Sequence, residues 1–68
     1  MSYYPASKWN STGTRVQFAF TYETEKEAKE QGLFAQNTYK DSTFVAVVEG
    51  KNHPDCNEKA RKLIEGGI

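Results

Sequence analysis

Apolar and polar residues alternate along residues 15–23. Val16, Phe18, Phe20 and Tyr22 project to one side of an extended chain, and Arg15, Gln17, Thr21 and Glu23 to the other. A period of two predicts a half-buried strand with one packed face and one wet face. At Thr24 the period changes. Thr24 followed by Glu27 is a capping-box signature, and Ala28, Gly32, Ala35 and Tyr39 then recur at helical spacing, flanked by Leu33 and Phe34. Gly32 either caps this helix or permits close approach to a sheet. Leu33, Phe34 and Ala35 continue the apolar side and favour the second, which predicts a helix over residues 25–37.

A second strand is predicted over residues 43–49, where Phe44, Ala46 and Val48 alternate with Val45 and Val47. Apolar on both faces, it suits the middle of a sheet or a strand covered on both sides. Pro54, preceded by Asn52 or His53 as cap, opens a second helix whose inner stripe is Cys56, Ala60, Leu63 and Ile64, and Gly66 and Gly67 end it. Near the N-terminus, residues 3–9 are aromatic and interrupted by Pro5. The turn residues Asn10, Ser11, Thr12 and Gly13 fold residues 6–9 back on the Arg15 strand as a hairpin. Proline cannot donate to a central ladder, so this first strand is read as a short edge.

These elements give the order β-β-α-β-α in a single domain spanning residues 1–68. The predicted fold is an α+β two-layer sandwich, with a three-stranded sheet and both helices on one face. Phe18, Phe20, Val45, Val47, Ala60 and Leu63 are expected to be buried, and Glu25, Lys26, Lys29 and Lys62 exposed.

Composition narrows the class of function. At 68 residues the chain is near the lower size at which one core folds unaided, and a single cysteine excludes an internal disulfide. Nine basic residues balance nine acidic ones, which disfavours a dedicated nucleic-acid or membrane-surface binder. The first residues lack the basic and apolar regions of a signal peptide, and no apolar run approaches the ~20 residues that span a bilayer. A reduced, cytoplasmic setting is the expectation.

Reactive side chains are sparse. His53, Asp55 and Cys56 form the one cluster of such types, too small for a structural zinc site and at a helix start where each has a structural role. The glutamates between positions 23 and 30 are interleaved with lysines, as on a solvated helix face. Neither an enzyme nor a metal or cofactor site is expected. Tyr3, Tyr4 and Trp9 stand outside the main periodic segments, either closing the end of a small core or serving as interface anchors. With Lys8, Arg15 and Gln17 they form the candidate partner-binding set. The expected function is a small non-enzymatic protein-binding module acting through this aromatic patch and an exposed sheet edge. Compact adaptors or inhibitors that phages encode against one host protein are of this general type. A sheet edge also offers pairing with a second copy. The alternative is a weak single-stranded nucleic-acid binder, stacking bases on Trp9 beside Lys8, Arg15 and Gln17.

Overall fold

A computed structural model describes residues 1–66 of the chain. Its elements run in the order β1 (Ser2–Trp9), α1 (Glu25–Thr38), β2 (Ser42–Gly50) and α2 (His53–Ile64). The sheet has two strands, β1 and β2, paired antiparallel with Ser2 opposite Gly50 and Trp9 opposite Ser42. This corrects the predicted three-stranded, β-β-α-β-α arrangement, although the chain is still a small α+β fold.

The reason lies at Pro5. Tyr3 exchanges backbone hydrogen bonds with Tyr22, both 2.8 Å, and Ser7 accepts one from Val16 at 2.9 Å. Odd-numbered residues of β1 therefore aim their backbone groups at segment 15–22, and even-numbered ones at β2. Pro5 lies between Tyr3 and Ser7 on the first side and has no N–H to give. The ladder breaks there. The backbone of segment 15–22 pairs with that of β1 only through isolated bridges at its two ends, Lys8–Arg15 and Tyr3–Tyr22, with no ladder between them. On sequence Pro5 marks a short edge strand; instead β1 runs for eight residues with chain on both sides, and Pro5 is fully buried. The strand that failed to form is the Arg15 segment. Its alternation is only partly realised: Val16 is buried, Phe18 and Tyr22 are half-buried, and Phe20 is 72% exposed.

The helices also differ from expectation. Cys56 and Ala60 of α2 pack on Tyr4 and Ala6, the even face of β1. Gly32 of α1 lies against Phe44 and Pro5, on the odd face. Each helix touches both strands and neither touches the other. Helices therefore cover opposite faces, giving three layers rather than two.

A bulge permits this. The register slips between Ala6, opposite Ala46, and Ser7, opposite Phe44, leaving Val45 as the extra residue. Without it Phe44 would share the face of Ala46 and Val48. With it, Phe44 joins Val47 under α1, while Val45 is pushed outward to 44% exposure. The expected burial of Phe20, Val45 and Leu63 is thus overturned, Ala60 is buried, and Phe18 and Val47 are half-buried. Glu25, Lys26, Lys29 and Lys62 are exposed, as anticipated.

Local signals explain the helix limits. The Thr24 hydroxyl accepts from the Glu27 N–H at 3.1 Å and donates to the Glu27 carboxylate, also at 3.1 Å. Asn52 caps α2 by accepting from the Asp55 N–H at 3.1 Å. The end of α2 at Ile64 precedes Gly66, and Gly67 lies outside the described residues.

Gly32 is an interior residue where an added Cβ would come within 2.3 Å of the Phe44 ring and 3.1 Å of Pro5. Helix propensity alone favours alanine over glycine by ~1 kcal/mol. The contact dominates, so Gly32→Ala should lower the midpoint of thermal unfolding. A rise in the midpoint would show that α1 does not sit this close to the sheet.

Candidate binding cleft

The turn after β1 positions the site. Gly13 adopts φ +74°, and its N–H bonds to the Trp9 carbonyl at 2.8 Å, reversing the chain into Thr14 and Arg15. The turn is tied to the α1–β2 loop: Asn10 N–H bonds to the Asp41 carbonyl at 2.6 Å, and the Ser11 hydroxyl donates to the Asp41 carboxylate at 2.6 Å. At the other side of that loop the buried Ser42 hydroxyl donates to the Tyr39 carbonyl at 2.7 Å. These bonds hold Trp9 and Tyr39 together, ring centroids 5.8 Å apart and planes at 74°, an edge-to-face pair.

The pair walls a cleft of about 680 Å³ that is lined by Trp9, Thr14, Arg15, Val16, Gln17, Tyr39 and Glu65. Val16 is its buried apolar element. Opposite the aromatics, Glu65 accepts from the Arg15 backbone N–H at 2.8 Å and from its guanidinium at 3.1 Å. Arg15 Nε donates to Asn57 at 3.1 Å. The backbone hydrogen bond, ahead of the guanidinium, holds the Glu65 carboxyl below its ordinary value. Arg15 is thus spent inside the protein, and the cleft presents no unpaired charge from it.

Three residues of the sequence-derived set, Trp9, Arg15 and Gln17, come together here. The others do not. Lys8 is exposed and does not line the cleft. Tyr3 sits at the far end of β1, opposite Glu49 and bridged to Tyr22. Tyr4 is completely buried and belongs to the core, where its ring meets Phe18 and His53 edge-on. Burial raises its hydroxyl above the ordinary tyrosine value. Sequence reading missed Tyr39 and Glu65. Tyr39 shares the spacing of the inner stripe but lies past the predicted helix end at residue 37; it is the C-cap of α1, and its side chain is 53% exposed. Its position at the end of a periodic run was the available signal.

The reactive cluster resolves into structural parts. His53 Nε2–H donates to the Phe18 carbonyl at 2.7 Å, Asp55 accepts from the Lys51 N–H at 2.9 Å, and Cys56 is fully buried. Burial first, and the nearby Asp55 charge second, push the Cys56 thiol up, away from the reactive thiolate. Among the described residues no group of His, Cys, Asp and Glu is placed to hold a metal ion.

The exposed sheet edge has a definite location. One side of β1 faces segment 15–22 and the other faces β2, so the open edge is the outer side of β2. Among the described residues no helix is long and apolar enough to cross a membrane.

A depressed carboxyl contributes stability above its unfolded value, 4.5 for glutamate, and that contribution is lost as pH falls through the lower folded value. Glu65→Gln should therefore unfold more readily at neutral pH and lose less stability on acidification than the parent chain. Parallel stability–pH curves for the two would contradict the Arg15–Glu65 linkage.

Comparison with protein-family models, with curated proteins and with solved structures returns no match.

Proposed function

We propose that this chain is a small non-enzymatic protein-binding module, an adaptor or inhibitor acting in the cytoplasm, whose docking site is the Trp9–Tyr39 cleft. The observation that carries this reading is the aromatic pair itself. Trp9 is half-buried and Tyr39 is 53% exposed, so the two offer rigid apolar area beside the buried Val16, with a neutralised ion pair opposite. Tryptophan and tyrosine dominate interface energetics because they bury much surface at little cost in conformational freedom. A partner side chain entering the cleft displaces water from apolar walls without having to break an unpaired charge out of solvent.

The acid–base properties of the cleft support a binding role. Among the described residues Glu65 is the one carboxylate that lines it, and a carboxyl held below its ordinary value is a poor base at neutral pH. A single-stranded nucleic-acid site, the alternative, would stack bases on Trp9 and bind phosphates through Lys8 and Arg15. The engagement of Arg15 by Glu65 and Asn57 leaves that patch with little cationic character. A buried, unpaired cysteine suits a reduced compartment.

Capture of a protein from the source cell should survive nuclease treatment and be abolished by Trp9→Ala at unchanged thermal stability. With that partner in hand, Trp9→Ala should cost ~2 kcal/mol or more of affinity, with little change between low and moderate salt. Mixed-sequence single-stranded oligonucleotides should show no submicromolar binding at physiological salt. Such binding, weakening steeply as salt rises, would replace this reading with the nucleic-acid one.

A further inference from the structure

Strand β2 contradicts its own composition. Thr43, Phe44, Val45, Ala46, Val47 and Val48 carry no charge and no proline, and they suit a central strand, yet β2 borders the sheet and all six are partly exposed. Natural edges are usually blunted by charge, proline or cover. Here the even-numbered residues of β1 bond to Gly50, Val48 and Ala46, so Val47 and Glu49 aim their backbone groups outward. Two devices occupy the ends of this edge. Gln36 of α1 accepts from the Phe44 N–H at 2.8 Å, and Lys59 of α2 donates to the Glu49 carbonyl at 2.8 Å. Val47, between them, faces no strand on that side.

The same two contacts identify which sides of the helices flank the edge. Leu33 lies one turn before Gln36, and Leu63 one turn after Lys59, each on the same helix side as its neighbour. Leu33 is 40% exposed, Val45 44% and Leu63 48%. Both covering helices and the strand bulge thus present an apolar residue along one open edge.

We propose that the outer edge of β2 pairs antiparallel with the same edge of a second copy, about a two-fold axis normal to the sheet and close to Val47. The product is a continuous four-stranded sheet in the order β1–β2–β2′–β1′. Val47 of each copy exchanges N–H and C=O bonds with Val47 of the other, and the Val45 bulge limits how far pairing extends.

Spacing favours a second copy over an extended peptide. Helix α1 rests equally on both strands of its own sheet, so joining two such sheets sets the two α1 helices two strand spacings, about 10 Å, apart. Helix α2 leans toward β1 and repeats at a somewhat larger distance. Packed helices lie ~8–10 Å apart. The α1 helices then meet through Leu33 on one face, and the α2 helices through Leu63 on the other. A lone peptide strand would fill the hydrogen bonds and leave both leucines uncovered.

The edge is long enough for a specific contact: the nine residues of β2 span ~30 Å at ~3.3 Å per residue, and a helix flanks the strand on each face. This surface is separate from the Trp9 cleft and does not depend on it.

Sedimentation equilibrium from micromolar to near-millimolar concentration tests the proposal. The mass should rise from 7.7 kDa toward twice that value with concentration. Val47→Pro removes an outward N–H while sparing the bonds to β1, and should shift the midpoint of dimerisation upward at least tenfold. Should that variant unfold, the pair Leu33→Lys and Leu63→Lys, at exposed positions, should give the same shift with thermal unfolding of the dilute monomer unchanged. Trp9→Ala should leave the mass profile as it was. A monomer throughout, a dimer indifferent to the edge variants, or a dimer lost with Trp9→Ala would each overturn the proposal, the last by assigning self-association to the cleft.

Discussion

The side chain of Tyr4 is the point at which the parts of this molecule meet. It is the largest fully buried side chain, it packs on Cys56 and Ala60 of α2, and it meets the rings of Phe18 and His53 edge-on. Its hydroxyl accepts from the Phe18 N–H at 2.7 Å and donates to the Phe18 carbonyl at 3.3 Å. Those backbone groups lie where the strand ladder has broken at Pro5, so a side chain supplies what a neighbouring strand would have supplied. His53 adds a second bond to the same carbonyl. One residue of β1 thus fixes the irregular segment, and α2 closes over the junction.

This arrangement compensates for a small core. The fully buried apolar residues are mostly alanine, with Tyr4 as the main bulky one, and the elements approach closely because the residues between them are small. Gly32 lets α1 settle on Phe44 and Pro5, and Gly50 lets the start of α2 come back against β2. Small contact residues bury little area each, so polar anchoring at Tyr4, Ser42 and Arg15 carries more of the specificity than it does in a larger domain. The cleft lies at the paired end of the irregular segment, where Thr14 and Val16 bond back to β1 and, with Gln17, line a hollow that Trp9 and Tyr39 close.

Features set by local interactions were legible in the sequence. The two helices, the cap at Thr24, the choice of Asn52 or His53 as the second cap and the turn through Gly13 are marked by neighbours within a few residues, and the strand around Val47 by its own run of β-branched residues. Features set by distant contacts were not. Alternation along Val16, Phe18 and Phe20 fits any extended chain, and whether it joins a ladder depended on which side of β1 Pro5 presents. The bulge at Val45 reverses which residues share a face, so the two-faced apolar pattern of β2 was compatible with either parity. That reversal puts Phe44 on the α1 face, opposite the face on which Val48 packs with α2. Of the candidate site, Trp9, Arg15 and Gln17 were identified because they flank one turn. Tyr39 and Glu65 reach the cleft from remote elements, and Tyr4 was drawn in by its residue type although its even position turns it to the core.

The claim that Tyr4 joins the irregular segment to the sheet is tested most directly by Tyr4→Phe, which keeps the ring and deletes the hydroxyl. Loss of the partner of a part-buried N–H should destabilise the fold by ~1–3 kcal/mol. Amide exchange at Phe18 should accelerate more than at Val48 in the two-stranded ladder. Unchanged stability together with unchanged protection at Phe18 would contradict the account, and would mean that ring packing alone holds the segment in place.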